Sequence, residues 1–219
     1  MVTAILREKN MLIYIVRHGE TNLNIHAVMQ GWIDEPLNEN GRKLAAITGK
    51  KMKGIHFDEC ISSPLVRAKE TVEIILRESG NDIPIFTDDR LKEIYFGDME
   101  GKQLSEMGEP GKLFFTDSFN FVGFPNGERI QDVCERAQSF LKDLIKRDDE
   151  NTYLIGTHGC ALRAMLNFLY DDTSDYWHGH VPYNCAVNIV EVKEGKARLI
   201  TDDKIYYNQD LIVDLYRRE

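Results

Sequence analysis

Short apolar runs alternate with amphipathic segments along most of this chain, a pattern typical of α/β folds. Residues 11–16 (MLIYIV) form the first apolar run and predict a buried strand. Further strands are predicted at 57–61, 83–87 and 153–156. Helices are predicted at 43–53, 64–79, 128–147 and 160–170. The alternation predicts a three-layer α/β (αβα) sandwich, in which helices cover both faces of a mostly parallel central sheet.

Several residues indicate where the predicted helices begin and end. Asn38 is a candidate cap for the helix through 43–53. Ser63 and Pro64 match the preference for serine at the cap and proline at the first helical position. Gly80 is expected to end the helix that starts there.

Two segments depart from the strand–helix alternation. Residues 95–127 are irregular and rich in glycine and phenylalanine, and we expect them to form a small inserted lobe above the site. Residues 186–200 predict a terminal hairpin that turns at Glu194-Gly195. An exposed edge of this hairpin would be the surface on which a homodimer could pair.

Composition excludes several classes of protein. The 219 residues are 42% hydrophobic and 29% charged, which suits one folded domain and not a disordered chain. The formal net charge of -9 disfavours a nucleic-acid partner, so any anion site must be a local positive pocket. No apolar run is long enough to predict a membrane span.

The cysteines and the first residues predict a cytoplasmic protein. The four cysteines are widely spaced and form no C-x-x-C pair, which favours reduced thiols. Residues 1–10 contain no apolar core of a signal peptide, and we interpret them as an extension that precedes a single domain at 11–219. A native start at Met11 is an open hypothesis.

Two predicted strands end in a histidine followed by a glycine. Arg17-His18-Gly19 follows the first strand, and His158-Gly159 follows the strand at 153–156. Because ligands of open α/β sheets bind outside the carboxyl ends of the strands, we expect both histidines at one site. The glycines allow close approach of the backbone to a ligand, and the helices that follow would offer N–H donors to an anion.

Each candidate also has a structural interpretation. A single histidine at a strand end is usually a hydrogen-bonded structural residue, so the repeated His-Gly pair carries the functional inference. Arg67 can point into the same crevice or pair with Glu70 or Glu73 at the surface. His178 and His180 lack a third ligand at a recognisable spacing, so no metal site is predicted there.

Other phosphoryl-transfer signatures do not fit. Cys60 and Arg67 have six residues between them, whereas the cysteine-phosphatase loop has five. The sequence contains no Walker loop, no G-x-S-x-G serine elbow and no D-x-D-x-T motif.

The remaining motifs resemble those of the histidine phosphatase superfamily, which includes phosphoglycerate mutases and small-molecule phosphatases. The matching residues, in chain order, are Arg17-His18-Gly19-Glu20-Thr21, Asn24, Gly31-Trp32, Pro36-Leu37, Ser62-Ser63-Pro64, Arg67-Ala68, Thr71, Glu93, Gly97, Glu100-Gly101 and His158-Gly159. Order and spacing agree from Met11 to the terminal hairpin.

The resemblance implies a role for each matching residue. His18 would be the nucleophile that becomes phosphohistidine, and Glu93 would protonate the leaving oxygen and later take a proton from water. His158 would complete the catalytic set. The residues implied to hold the phosphoryl group are Arg17, Arg67, His158, Asn24, Thr21 and Gly159. Those implied to contact the rest of the substrate are Gln30 and Gly31.

The chemistry of these residue types supports the same roles independently. A phosphoryl group in transfer spreads negative charge over its equatorial oxygens, and two guanidinium groups offer fixed forks of donors for them. Neighbouring cations favour the neutral histidine that can attack. Because the arginines neutralise the charge, neither a metal nor a cofactor is expected.

Three functions are compatible with this reading, and hydrolysis of a small phosphorylated metabolite is preferred. Phosphoglycerate mutases look similar but carry a longer insert between the positions of Glu93 and His158. Here that segment is short and rich in phenylalanine. A binding protein without turnover is the third alternative, and the complete catalytic set argues against it.

Two positions depart from the pattern of similar sequences. Cys160 stands where glycine or asparagine is common, and we expect a small effect on the pocket wall. Arg129 replaces a small hydroxyl residue. It either adds a positive charge near the mouth of the site or belongs to a helix start, and the second is favoured.

Overall fold

The strands form one mixed sheet at the centre of the protein. The computed structural model describes residues 10–212 and contains a six-stranded sheet in the order β3-β2-β4-β1-β5-β6. The strands are β1 (Met11–Arg17), β2 (Glu59–Ser62), β3 (Ile85–Thr87), β4 (Thr152–Thr157), β5 (Val187–Lys193) and β6 (Lys196–Lys204). Strands β1 to β4 are parallel, whereas β5 runs antiparallel to β1 and β6 antiparallel to β5. The prediction of a mostly parallel sheet is confirmed.

Helices cover both faces of this sheet. They are α1 (Asn22–Ile25), α2 (Glu39–Lys51), α3 (Val66–Ser79), α4 (Gly108–Thr116), α5 (Ile130–Ile145) and α6 (Gly159–Leu166). Alternate residues of β1 face opposite layers: Ile13 and Ile15 pack in the core cluster that includes α5 and α6, and Val16 packs in the cluster that includes α3. The predicted three-layer sandwich is therefore confirmed.

Local sequence signals place two helix ends correctly. The side chain of Asn38 caps α2 by accepting a hydrogen bond from Gly41 N at 2.8 Å. Gly80 follows α3 with φ of +85°, the left-handed conformation that glycine adopts without strain.

The predicted start of α3 at Ser63-Pro64 is wrong, because the helix begins at Val66. The Ser63 hydroxyl lies 2.8 Å from His158 Nε2 and is engaged there instead of capping the helix. Asp34 supplies the acceptor for the first turn, since its Oδ1 accepts from Val66 N at 2.7 Å. A residue distant in sequence therefore satisfies this helix end.

The remaining boundaries shift by a few residues. The helix predicted to reach residue 170 ends at Leu166 and continues as a short 3₁₀ turn, Asn167–Leu169. The predicted hairpin is longer than expected, because β6 extends to Lys204. β5 pairs with β1 inside the sheet, so of the two hairpin strands β6 is the one that lies at an edge of the sheet.

Residues 95–127 add no strand to the sheet. They contain α4 and short 3₁₀ turns, and their Phe96, Phe114 and Phe121 are buried in the main core cluster. We propose that this segment is a small lobe inserted into the domain. The proposed extension at 1–10 falls almost wholly outside the described residues. Within 10–212, no helix combines the length and the apolar character needed to cross a membrane.

Candidate active site

His18 follows β1 directly, and one contact holds its backbone while another holds its ring. Its backbone N–H donates to Thr157 O at 2.9 Å, which ties it to the end of β4. Its side-chain Nδ1 lies 2.7 Å from the carbonyl oxygen of Gly19. Since a carbonyl only accepts, this contact places a proton on Nδ1 and leaves the lone pair of a neutral ring on Nε2.

The turn after His18 requires a close crossing of two backbone segments. A Cβ atom at Gly19 would lie 2.8 Å from the carbonyl oxygen of Gly41, closer than real Cβ contacts allow. Gly19 N donates to Thr71 Oγ1 at 2.9 Å, and this hydroxyl donates to Arg67 O at 2.7 Å. The turn after His18 is thereby connected to the helix that carries Arg67.

Arg67 lies in the first turn of α3, and its side chain is fully buried. Its guanidinium donates to Gly31 O at 2.7 Å and to Ile33 O at 2.8 Å. Burial lowers the pKa of Arg67 to about 10, and the nearby Glu93 carboxylate opposes the shift, so the group is charged at neutral pH. The alternative that Arg67 pairs at the surface is wrong, since Glu70 pairs with Arg42.

Arg17 is bound by a carbonyl group that is distant in sequence. Its Nη1 donates to the carbonyl oxygen of Pro182. A Cβ atom at Gly159 would lie 3.4 Å from Arg17 Nε, an ordinary van der Waals contact, so Gly159 lies directly beside this guanidinium.

His158 lies next to His18, at the end of β4. The two ring centroids are 5.2 Å apart, with an angle of 56° between the ring planes. His158 is fully buried and does not line the cavity, and its Nε2 contacts Ser63 Oγ. The structure therefore brings the two predicted histidines together, although the His158 ring is not part of the cleft wall.

Three buried nitrogens around His18 lack a hydrogen-bond partner among the described residues. They are Arg17 Nε, Arg67 Nε and His158 Nδ1. An unpaired buried polar group costs about 1–3 kcal/mol. A bound oxyanion would supply acceptors for such donors.

Burial is the main cause of the pKa shifts of both histidines. It lowers the pKa of His18 well below its ordinary value, with the charges of Arg67 and Arg17 acting in the same direction. Burial and Arg67 likewise lower the pKa of His158. Both rings are therefore neutral at pH 7, as a nucleophilic imidazole must be.

The lowered pKa values of His18 and His158 predict that the folded protein loses stability in acid. The unfolded histidines have an ordinary pKa of 6.5, so below that pH the unfolded chain binds more protons than the folded one. Stability is thus lost as the pH falls below about 6.5, by at most about 1.4 kcal/mol per pH unit for each histidine. Urea unfolding between about pH 7.5 and pH 5.5 measures the slope. The slope should be shallower in His18→Ala, and equal slopes would contradict the assignment.

Glu93 is held at the amino end of α6. Its Oε1 accepts from Ala161 N at 3.0 Å, and its Oε2 accepts from Cys160 N at 3.2 Å. Oε1 also accepts from its neighbour Ile94 N. Within the described part of the chain, Oε2 accepts one hydrogen bond, whereas Oε1 accepts two. Oε2 therefore keeps a lone pair that can accept a proton.

Most of the residues described above line one cleft. Of the residues predicted to bind ligand, the cleft is lined by Arg17, His18, Asn24, Gln30, Gly31, Arg67, Glu93 and Gly159. The apolar part of its wall consists of Val28, Met29, Phe96, Phe114, Phe115, Trp177 and Val181. Cys160 also lines it, as expected from its position after Gly159.

Thr21 has a different place from that implied by the resemblance. It caps α1 by accepting from Asn24 N at 3.2 Å, and its hydroxyl donates to Gln30 Oε1 at 2.9 Å. Thr21 is fully buried and is not part of the cleft wall. Its contacts orient Asn24 and Gln30, which do line the cleft.

Two residues that sequence reasoning missed hold the site in place. Asn184 Nδ2 donates to His18 O at 3.0 Å and lies 3.4 Å from Asn24 Oδ1. Arg136 Nη2 donates to Glu93 O at 2.9 Å. Neither residue belongs to a recognisable motif, so the sequence offered no signal for them.

The other candidates take structural positions. His178 stacks on Tyr170 with a centroid distance of 3.5 Å, and His180 Nε2 lies 3.4 Å from Asp203 Oδ2. Within residues 10–212, no group of three or more histidine, cysteine or acidic side chains is arranged to hold a metal ion. Arg129 lies at the start of α5 and pairs with Asp132, as favoured above.

The chain belongs to the histidine phosphatase superfamily (branch 1), whose family model matches residues 13–202. It is similar to a 2,3-bisphosphoglycerate-dependent phosphoglycerate mutase of Cytophaga hutchinsonii, with 32% identity over 164 residues that cover 72% of this chain and 76% of the mutase. It is equally similar to the uncharacterized phosphatase PhoE of Bacillus subtilis, with 32% identity over 185 residues that cover 84% and 90%.

Solved structures agree with this assignment. YhfR of Bacillus stearothermophilus superposes with a TM-score of 0.81 and 32% identity, covering 89% of this chain and 98% of YhfR. The resemblance inferred from the motifs is confirmed. The relatives of this chain include both phosphatases and mutases.

Proposed function

We propose that this protein is a metal-independent phosphomonoesterase that acts on a small phosphorylated metabolite through a phosphohistidine at His18. One observation carries the proposal. A neutral histidine with its Nδ1 proton held by Gly19 lines a cleft beside two buried arginines whose Nε groups have no partner among the described residues.

In the first step, His18 Nε2 would attack the phosphorus atom of the ester. The N–P bond forms, the bond from phosphorus to the leaving oxygen breaks, and a proton from Glu93 goes to that oxygen. Arg17 and Arg67 would stabilise the charge on the equatorial oxygens, and His158 Nδ1, which has no partner among the described residues, would donate to the same group.

In the second step, water would attack the phosphohistidine. Glu93, now a carboxylate, takes a proton from that water as the new P–O bond forms, and the P–N bond breaks to release phosphate. The neutral form of His18 is restored, so each turnover balances without another reactant.

The character of the cleft favours hydrolysis over a mutase reaction. A phosphoglycerate carries a carboxylate in addition to its phosphate, and a mutase must hold both. Among the described residues, the cleft wall contains two arginine or lysine side chains, Arg17 and Arg67, and both lie close enough to His18 for their charges to lower its pKa. The rest of the described wall is mostly apolar, and an apolar surface does not compensate the desolvation of a second anionic group.

We further propose that the protein acts in the cytoplasm. All four cysteines are free thiols, and three of them are buried. This matches a reducing compartment.

Phosphate release from a panel of phosphorylated metabolites and 4-nitrophenyl phosphate tests the proposed activity. We expect hydrolysis with negligible interconversion of 2- and 3-phosphoglycerate, and no loss of activity in the presence of a chelator. The interconversion is followed by NMR with a catalytic amount of bisphosphoglycerate.

The alternatives predict distinct results in the same assay. Interconversion that exceeds phosphate release would establish the mutase instead. Tight phosphate binding without turnover of any ester would indicate a binding protein.

A further inference from the structure

The backbone of Glu93 is held by side chains from two distant segments. Its carbonyl oxygen accepts from Trp32 Nε1 at 2.9 Å and from Arg136 Nη2 at 2.9 Å. The carboxylate of the same residue is bound at the amino end of α6. The main chain and side chain of Glu93 are thus positioned by separate sets of donors.

Arg136 contacts more of this loop than the Glu93 carbonyl. Its Nη1 donates to Arg90 O at 3.0 Å and to Lys92 O at 2.6 Å. The guanidinium therefore spans the backbone just before Glu93 as well as Glu93 itself.

Glu128 completes the arrangement. Its Oε1 accepts from Arg136 Nε at 2.8 Å, and its Oε2 accepts from Arg136 Nη2 at 2.9 Å. Oε2 also accepts from Tyr95 N at 2.8 Å, on the other side of Glu93. The pair is mostly buried, with side-chain exposures of 18% for Arg136 and 21% for Glu128.

We propose that the Arg136–Glu128 ion pair positions Glu93 for proton transfer to the leaving oxygen. This inference rests on the proposed function and extends it, because it assigns to two residues outside the cleft wall the control of one catalytic step. Both are positioning residues, since neither lines the cleft and their contacts reach the reaction only through Glu93.

The effect of displacing Glu93 on the rate of hydrolysis should depend on the leaving group of the ester. An alkoxide is a poor leaving group and needs a proton in the transition state, whereas 4-nitrophenolate departs without one. A displaced acid should therefore slow hydrolysis of an alkyl phosphate much more than hydrolysis of an aryl phosphate. A loss of folded protein or of phosphate binding would slow both equally.

The test compares 2-phenylethyl phosphate with 4-nitrophenyl phosphate in Arg136→Met. We expect kcat/KM for the alkyl ester to fall about 10²-fold, since a misplacement of about 1 Å in a reacting group has that effect. The value for the aryl ester should stay within about threefold. Arg129→Gln is the matched control, because this arginine lies at the start of the same helix and pairs with Asp132. It should leave both values unchanged.

Two milder variants address the same contacts if Arg136→Met does not fold. Trp32→Phe removes the second donor to the Glu93 carbonyl. The loss of one hydrogen bond should lower kcat/KM for the alkyl ester selectively, by roughly fivefold. Arg136→Lys keeps the charge but not the fork, and should lie between wild type and Arg136→Met.

Glu93→Gln separates this inference from the proposed function. If Glu93→Gln shows no selective loss on the alkyl ester, the acid role of Glu93 is wrong. If it does, Arg136→Met should add little in the Glu93→Gln background, because both changes act on one step. Equal losses on both esters in Arg136→Met, or full additivity in the double variant, would overturn the positioning role while leaving the phosphatase proposal intact.

Discussion

Replacement of His18 by alanine should reduce ester hydrolysis by at least about 10⁴-fold, because in the proposed mechanism the loss of this nucleophile removes the covalent route. The imidazole of His18 lines the cleft with Nε2 as its unprotonated nitrogen. Within residues 10–212, no other histidine lines this cleft. No second imidazole of the described cleft wall is therefore available to take over the attack.

Rapid acid-free quenching with a ³²P-labelled ester measures the intermediate directly. Wild type should carry an acid-labile, base-stable label on histidine, and His18→Ala should carry none. Phosphate binding, followed by calorimetry, should persist in the variant because Arg17 and Arg67 remain. The matched control is His26→Ala, an exposed histidine whose Nδ1 contacts Asn22 O, and it should retain full activity. Undiminished turnover in His18→Ala would disprove the mechanism.

Replacement of Arg67 by methionine is expected to have the next largest effect, a fall in kcat/KM of about 10³-fold. Single arginines that stabilise a phosphoryl group in transfer contribute about 10³–10⁵-fold. Arg67 is fully buried and holds the Gly31 and Ile33 carbonyls, so methionine removes both a cation and part of the cleft wall. Arg67→Lys restores the charge without the fork and should recover part of the loss.

The same variant should change the pH dependence. Burial is the largest cause of the low pKa of His18, and the positive charge of Arg67 is the second. Removal of the Arg67 charge should therefore raise the pKa of His18. The acid limb of the kcat/KM profile should therefore move to higher pH in Arg67→Met. Arg77→Met serves as the control, because Arg77 lies on the same helix but is 67% exposed at the side chain and pairs with Glu78. An unchanged acid limb would show that Arg67 does not act on His18.

A local positive site in an acidic protein is the electrostatic basis of these expectations. The chain has a formal net charge of -9, yet its cleft contains two arginines around a neutral histidine. Burial makes each interaction with a bound anion stronger than it would be in water. The proposed phosphate site therefore needs no basic surface around it.

The sequence by itself determined the elements whose signals are local. The apolar run at β1, the cap at Asn38 and the stop at Gly80 depend on neighbouring residues along the chain, and all three are correct. It also placed the two histidines at one site, because the His-Gly pair recurs at the ends of two strands, whereas Arg67 was added to that site by the resemblance to a known family.

The tertiary structure decided which partner each polar side chain meets. Ser63 contacts His158, 95 positions away, instead of capping α3, and Arg136 holds the Glu93 carbonyl across 43 positions. Thr21 faces Asn24 and Gln30 instead of the cleft, and Trp177 enters the cleft wall from a loop that no motif marks. The physical reason is that periodicity and capping act over a few residues, whereas a buried polar group must find its partner among whatever segments the fold brings together.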